Sequence, residues 1–272
     1  MTNPASPQNV SSTDTSSTPT ASTPRDSGDW TYAYPSLLPG RLLKRYKRFM
    51  ADIELETGET ITAHCPNTGA MTGVCQVGSR VMVSRSDNPK RKLAYTWELI
   101  EVHDNGPVWA GVNTAMPNRA MRSALENHVF PELGPYETVK PEVRYGADRK
   151  SRIDFLLTGT PDQRPIYLEV KNTTWANGKQ AMFPDGVTTR GQKHLRELTA
   201  LIPEARAVMV YFINRGDCEK FSPGDGSDPL YGKLLRTAAK KGVEILPCRF
   251  EITPFSIRYK GLAELYLENP AL

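Results

Sequence analysis

Three ionisable residues interrupt apolar runs in the stretch from Arg152 to Asn172, RIDFLLTGTPDQRPIYLEVKN: Asp154, Glu169 and Lys171. The stretch reads as a hairpin, with Ile153 to Leu157 and Ile166 to Val170 flanking a Gly-Thr-Pro-Asp turn region. Strand alternation places Glu169 and Lys171 on one face, and Leu168 and Val170 on the other. If the hairpin closes with Asp154 beside them, two carboxylates and an ammonium share one end of a sheet. Carboxylates that close repel, and one pKa rises unless a cation sits between them. Hard oxygen ligands of this kind suit Mg²⁺ or Mn²⁺, and a neighbouring lysine can hold or deprotonate an attacking water. A Glu and a Lys two apart often mark only a solvated strand face. Here both acids are embedded in apolar runs, where an unpaired charge is costly, and that favours a functional reason for them.

The elements that must position these residues follow a mixed grammar. NRAMRSALENH reads as a helix, with Asn118 as its N-cap and Ala120, Met121, Ala124 and Leu125 on one side. TVKPEVRYG, SRIDFLL and PIYLEVKN read as strands. A helix then runs through RGQKHLRELTALI, capped by Thr188 or Thr189, and ARAVMVYFIN is apolar enough for a buried central strand. DPLYGKLLRTAAKKG is a helix stopped by Gly242, and VEILPCRFEI is a final strand. The order helix, three strands, helix, strand, helix, strand predicts a mixed α/β sheet covered by helices. The second helix brings Arg190, Lys193 and His194 to its first turns. Arg190 and His194, four apart, share a face that could meet a phosphate, whereas Lys193 has Glu197 as an alternative partner.

Upstream, Gly40 to Val102 suits short strands divided by turns: RLLKRYKRFMADIEL as one long strand, then TITAHC, GSRVMVSRS and KLAYTWELIEV. No long helix intervenes, which predicts a small barrel of the OB type. This region holds the densest basic cluster: Lys44, Arg45, Lys47 and Arg48, with Arg80, Arg85 and Lys90–Lys92 further on. Tyr46, Phe49, Tyr95 and Trp97 are interleaved with it, as in surfaces where cations track phosphates and aromatics stack on bases. The competing reading is that these aromatics fill the barrel and the cations keep it soluble. The expected division is a disordered Ser/Thr/Pro-rich tail over 1–36, a barrel over 37–107 and an α/β domain over 108–272.

Composition narrows the rest. The 272 residues are 39% hydrophobic and 24% charged with a formal net charge of +4, which permits a polyanionic partner without demanding one. No apolar run approaches a membrane span and no secretory signal opens the chain, so a cytoplasmic location is expected and no membrane partner. The four cysteines, Cys65, Cys75, Cys218 and Cys248, form no C-x-x-C pair. His64, Cys65 and Cys75 fit no zinc spacing, and PNTGAMTG reads as a structured loop that can line a groove.

The element order around Asp154 and Glu169-Val170-Lys171 resembles the PD-(D/E)xK nuclease superfamily. Over nearly the whole chain beyond the tail, the sequence is similar to the sugar fermentation stimulation protein A family. The likeness rests on ITAHCPNTGAM at 61–71, VWAGVNTAMPN at 108–118, SRIDFLL at 151–157, YLEVKNTT at 167–174 and FPDGVTTRGQKHLREL at 183–198. The resemblance implies an N-terminal OB-like barrel followed by a PD-(D/E)xK nuclease-like α/β domain, DNA binding, and a regulatory link to sugar metabolism, maltose in particular. It implies further that Asp154, Glu169 and the Val170 carbonyl bind Mg²⁺ or Mn²⁺, that Lys171 activates the attacking water, and that Glu126 lies where another acid often sits. Lys44, Arg45, Lys47, Arg48, Arg190, Lys193 and His194 are the expected contacts to single- or double-stranded DNA. With no helix-turn-helix recognition element, little sequence specificity is expected. At this level DNA binding with regulatory effect is the first reading, metal-dependent DNA cleavage its alternative, and sensing of a small ligand such as a sugar or nucleotide a third.

Overall fold

The computed structural model of the chain describes Met1 and residues 30–146 and 149–268. Residues 2–29 of the expected disordered tail lie outside this range. Its expected end at 36 is corrected, because Thr31–Ala33 (β1) already forms a strand.

A barrel follows. Its strands are Leu37–Tyr46 (β2), Met50–Leu55 (β3), Thr60–His64 (β4), Arg80–Arg85 (β5) and Tyr95–Val102 (β6). Alternation builds its interior: Ala51, Ile53 and Leu55 point inward from β3, and Ile61 and Ala63 from β4, while the residues between face outward. The strands pair in the order β4-β3-β2-β5-β6, and a parallel pairing of β4 with β6 (Ala63↔Tyr95, His64↔Thr96) closes the ring. This is the expected OB-like barrel. Val108–Gly111 (β7) pairs with β6 from Val102↔Val108 to Leu99↔Gly111, so the barrel sheet runs four residues past the expected boundary at 107.

Two local readings change. RLLKRYKRFMADIEL is not one strand but the β2–β3 hairpin, turned at Lys47 and Arg48, which hold left-handed φ of 49° and 63°. Trp97 does not face outward to stack on bases. It is fully buried in the barrel core, and its indole Nε1 donates to the Leu99 carbonyl at 2.9 Å.

The rest of the chain is built from Met116–Glu126 (α1), Thr138–Tyr145 (β8), Ser151–Thr158 (β9), Ile166–Thr173 (β10), Ala176–Asn177 (β11), Gln180–Phe183 (β12) and Thr189–Ala200 (α2). Then come Arg206–Ile213 (β13), Lys220–Pro223 (β14), Pro229–Lys240 (α3), Glu244–Ile252 (β15), Ser256–Leu262 (β16) and Glu264–Leu265 (β17). The large sheet has the order β1-β16-β15-β13-β10-β9-β8, with β10, β13 and β15 parallel. The apolar run of β13 accounts for its central place, since both of its faces are covered. On one face α1 packs through Ala120, Met121, Ala124 and Leu125 against Phe155, Leu168 and Val170. On the other, α2 and α3 cover Met209, Tyr211 and Ile213 with Leu195, Leu198 and Leu235. Among the described residues, no helix is long and apolar enough to cross a membrane.

Caps explain the helix ends. Thr188 accepts the Gly191 N–H at 3.1 Å and Asp228 accepts that of Tyr231 at 3.0 Å, while Gly242 takes the left-handed φ of 101° just beyond α3. Asn118 is not a cap. α1 starts two residues earlier, with Pro117 in its first turn, and leaves the Asn118 side chain free for another task.

The barrel and the α/β domain are locked together around Asn214 and Arg215. The Gly111 N–H donates to the Asn214 carbonyl at 2.8 Å. A Cβ on Gly111 would lie 2.0 Å from the Asn214 amide, so only glycine fits there. The wholly buried Arg215 guanidinium donates to Asp217, to the Thr174 carbonyl and, across the domain junction, to Asp104. Removing a buried cation strands its carboxylate partners. Arg215→Ala should therefore cost about 3–5 kcal/mol in urea unfolding, and Arg215→Lys should recover only part, because an ammonium cannot reach three directions in one plane.

Candidate metal centre and the interdomain cleft

The site forms where two strands part. β9 and β10 pair from Ile166↔Leu157 to Leu168↔Phe155 and no further. Beyond that point the Asp154 carboxylate replaces the missing strand partner: its Oδ2 accepts the Val170 N–H at 2.8 Å. Its Oδ1 accepts the Asn118 side-chain amide of α1 at 2.8 Å. Glu169, next along β10, is 3% exposed. Its Oε1 accepts Lys171 Nζ at 2.6 Å and also the Nδ1–H of His194, reaching in from α2. A His194 tautomer protonated on Nδ1 satisfies this contact and leaves Nε2 to accept Arg190 Nε at 3.4 Å. The second oxygen, Glu169 Oε2, is buried and has no hydrogen-bond partner among the described residues.

Asp154, Glu169 and Lys171 therefore come together as the sequence predicted. Burial and then the Glu169 charge push the Asp154 carboxyl up to about 6, against the pull of the Val170 N–H and Lys171. Burial also works to raise Glu169. The His194 hydrogen bond and the Lys171 charge outweigh it and hold this carboxyl below its ordinary value. The two acids thus differ in proton affinity, as is common where like charges share a site.

The orphaned Glu169 oxygen is the test of fit for a cation. A buried carboxylate oxygen without a partner is costly, and a hard divalent ion would satisfy it. Among the described residues, no three His, Cys, Asp or Glu side chains converge as a ready cage. Mg²⁺ needs none, since it is commonly held by one or two carboxylates with water and substrate phosphate completing the shell.

Other expected site residues land elsewhere. His194, expected on a DNA-facing helix surface, is 3% exposed and braces Glu169 instead. Glu126 is exposed and pairs on the surface with Arg122 at 2.8 Å. Lys193 pairs with Glu197 at 3.4 Å and remains exposed, as does Arg190. In the barrel, Lys44 pairs with Asp52 at 3.1 Å. Arg45 is committed to main-chain carbonyls, donating to those of Arg48, Asn67 and Gly69 at 2.9–3.0 Å, so it is a structural clamp rather than a free phosphate contact. Lys47 and Arg48 stand exposed at the hairpin turn, next to Phe49, which is 48% exposed. Asn118 was missed as a site residue. It sits in the first turn of α1 and its partner lies 36 residues away, so its role left no local signal.

Arg45 matters because of the loop it holds. Asn67, clamped from the barrel side, lies across a cleft of about 150 Å³ from Asn172, Trp175 and Asp185 of the α/β domain. Thr114 of the connecting segment ties the loop in through the Pro66 carbonyl at 3.0 Å. Asn172 and Thr173 of its wall directly follow Lys171, with Thr173 on the same face, so this cleft continues along the strand that carries the acidic site. A larger hollow of about 890 Å³ lies on the far side of Trp175, between β14 and α3, and contains none of the acidic-site residues.

A closed OB-like barrel joined to a restriction-endonuclease-like α/β domain, with paired acids and a lysine where two strands splay, defines a protein of nuclease-like architecture. The description "SfsA N-terminal OB domain" matches residues 43–112, and "Sugar fermentation stimulation protein RE domain" matches 115–256. The sugar fermentation stimulation protein homolog of Trichormus variabilis is 65% identical over 239 residues, covering 88% of this chain and 99% of that protein. That of Synechococcus elongatus is 66% identical over 236 residues, 87% of this chain and 98% of the relative. The chain belongs to the sugar fermentation stimulation protein family. The solved structure of Pyrococcus furiosus SfsA in complex with Ca²⁺ superposes with a TM-score of 0.76 at 26% identity, over 86% of this chain and 98% of that one.

The raised Asp154 carboxyl has a signed consequence. Its folded value of about 6 lies above the ordinary 3.8, so the proton it keeps stabilises the fold fully below pH 3.8 and ceases to do so as pH rises through 6. In urea unfolding with EDTA, wild type should lose stability relative to Asp154→Asn across that window. A difference independent of pH would contradict the assignment.

Proposed function

We propose that this protein binds DNA with little sequence specificity and hydrolyses its phosphodiester bonds with the aid of Mg²⁺ or Mn²⁺. The observation that carries the reading is the buried Glu169, held by Lys171 and His194 through one oxygen while the other has no partner among the described residues. Asp154, Glu169 and the Val170 carbonyl would hold the cation. When bound, it would supply Lewis-acid stabilisation of charge developing on the phosphate. The Ca²⁺ in the Pyrococcus furiosus relative supports a hard cation in this family, since Ca²⁺ and Mg²⁺ share a preference for oxygen ligands.

The chain's own residues divide the remaining work. Lys171, 2.6 Å from Glu169 Oε1, is placed to orient the attacking water and to balance the charge of two acids. Asn118 and the Val170 N–H fix Asp154, and His194 fixes Glu169, so neither carboxylate must reorganise during the reaction. Lys47 and Arg48 on the hairpin, and Arg190 and Lys193 on α2, are exposed cations suited to neighbouring phosphates. Lys44, beside Asp52, would add less.

Binding without turnover, with regulation of sugar metabolism (maltose in particular) as its outcome, is the second reading. It is favoured by the engagement of Lys171 with Glu169 rather than with open solvent. The two separate in a cleavage assay on labelled single-stranded, duplex and branched DNA with Mg²⁺ or Mn²⁺. On the first reading wild type cuts, and Glu169→Ala or Lys171→Ala each lowers the rate at least about a hundredfold. Salt-sensitive retention of uncut DNA by wild type would instead support the second.

A further inference from the structure

We propose that the interdomain cleft beside the acidic site captures one unpaired nucleobase, and that its polar groups select guanine. The inference rests on the reading of that site as one that handles nucleic-acid phosphates, and it adds the substrate class. At about 150 Å³ the cleft is well below the size of a drug-like pocket and suits a single base rather than a base pair. Its walls are aromatic and polar. Trp175 and Phe183 line it, and one edge of the Trp175 ring rests against Gly224, where a Cβ would come within 2.7 Å of it. An indole, with only two rotatable bonds to order, is a suitable stacking platform for a base.

The polar groups have a definite sense. Asn67 Oδ1 is used by the Gly69 N–H at 2.9 Å, which leaves the Asn67 amide NH₂ as a donor. Asn172 Oδ1 is used by the Asn214 amide at 2.9 Å, which leaves the Asn172 NH₂ in the same state. Asp185 lines the cleft as a carboxylate, an acceptor through both oxygens. A carboxylate here repels phosphate, so the cleft is not a backbone contact. Two amide donors and a two-oxygen acceptor match guanine, whose Watson–Crick edge offers an O6 acceptor beside N1–H and N2–H donors. Adenine, cytosine and thymine each lack the paired donors. Such an edge is accessible only when the base is unpaired, so the favoured substrate is single-stranded or locally opened.

The test uses the full chain and fluorescein-labelled oligo-dT strands carrying one central guanine, inosine, adenine or cytosine. Binding is read by anisotropy in Ca²⁺, and cleavage separately in Mg²⁺ and Mn²⁺. The guanine strand should bind about tenfold more tightly than all-thymine, inosine (which lacks the N2 amino group) should fall between them, and pairing the guanine in a duplex should erase the preference. Asp185→Asn should bring the guanine-to-thymine ratio close to one. Equal binding of all strands by wild type, or an equal loss on every strand in Asp185→Asn, would overturn base selection. Cleavage without base preference would leave the hydrolytic reading intact and overturn this one. A guanine preference in binding with no cleavage would do the reverse.

Discussion

A charged carboxylate inside a sheet is the constraint on which the rest of this structure turns. Glu169 lies on a strand between β9 and β13, with apolar neighbours on both sides in sequence. An isolated charge there would be expelled or neutralised. It stays ionised because Lys171 and His194 converge on one of its oxygens. Lys171 comes from the same face of the same strand, as period-two alternation requires. His194 needs α2 to cross that face at the right height, which the Thr188 cap and the buried Leu195 and Leu198 arrange. The unsatisfied second oxygen is then a local vulnerability that a bound cation would remove.

The barrel takes part in this arrangement and is not a tethered module. Arg45 is spent on three main-chain carbonyls, two of them in the loop that reaches the interdomain cleft. Arg215 joins Asp104 of the barrel side to Asp217 and Thr174 of the other. Gly111 lies so close to Asn214 that no side chain fits between them. Directional contacts of this kind tie the barrel, and with it the β2–β3 hairpin, to the domain that carries the acidic site.

What could be read from the sequence, and what could not, follows from the range of the forces involved. Asp154, Glu169 and Lys171 were legible because alternation and apolar flanks are local, and the helix limits at Thr188, Asp228 and Gly242 were legible because capping is local. The roles of Arg45 and Asn118 were not. Arg45 acts on carbonyls more than twenty residues away, and Asn118 acts on a carboxylate 36 residues away, so nothing in their own neighbourhoods announced it. For Trp97 the local pattern left stacking and barrel filling both open, and barrel closure decides for the second. β1 was missed because three residues carry too little pattern, and its partner, β16, lies at the other end of the chain. His194 was placed beside Arg190, as found, but which face of the helix the sheet would cover was not in the local pattern.

The most direct test of the central claim, that Glu169 Oε2 is kept without a protein partner in order to bind a cation, is anomalous diffraction from crystals grown with Mn²⁺. The account predicts one Mn²⁺ peak in contact with Glu169 Oε2 and Asp154, absent from Glu169→Gln crystals grown alike. An ordered water on Glu169 Oε2, with no anomalous peak beside Asp154, would contradict it.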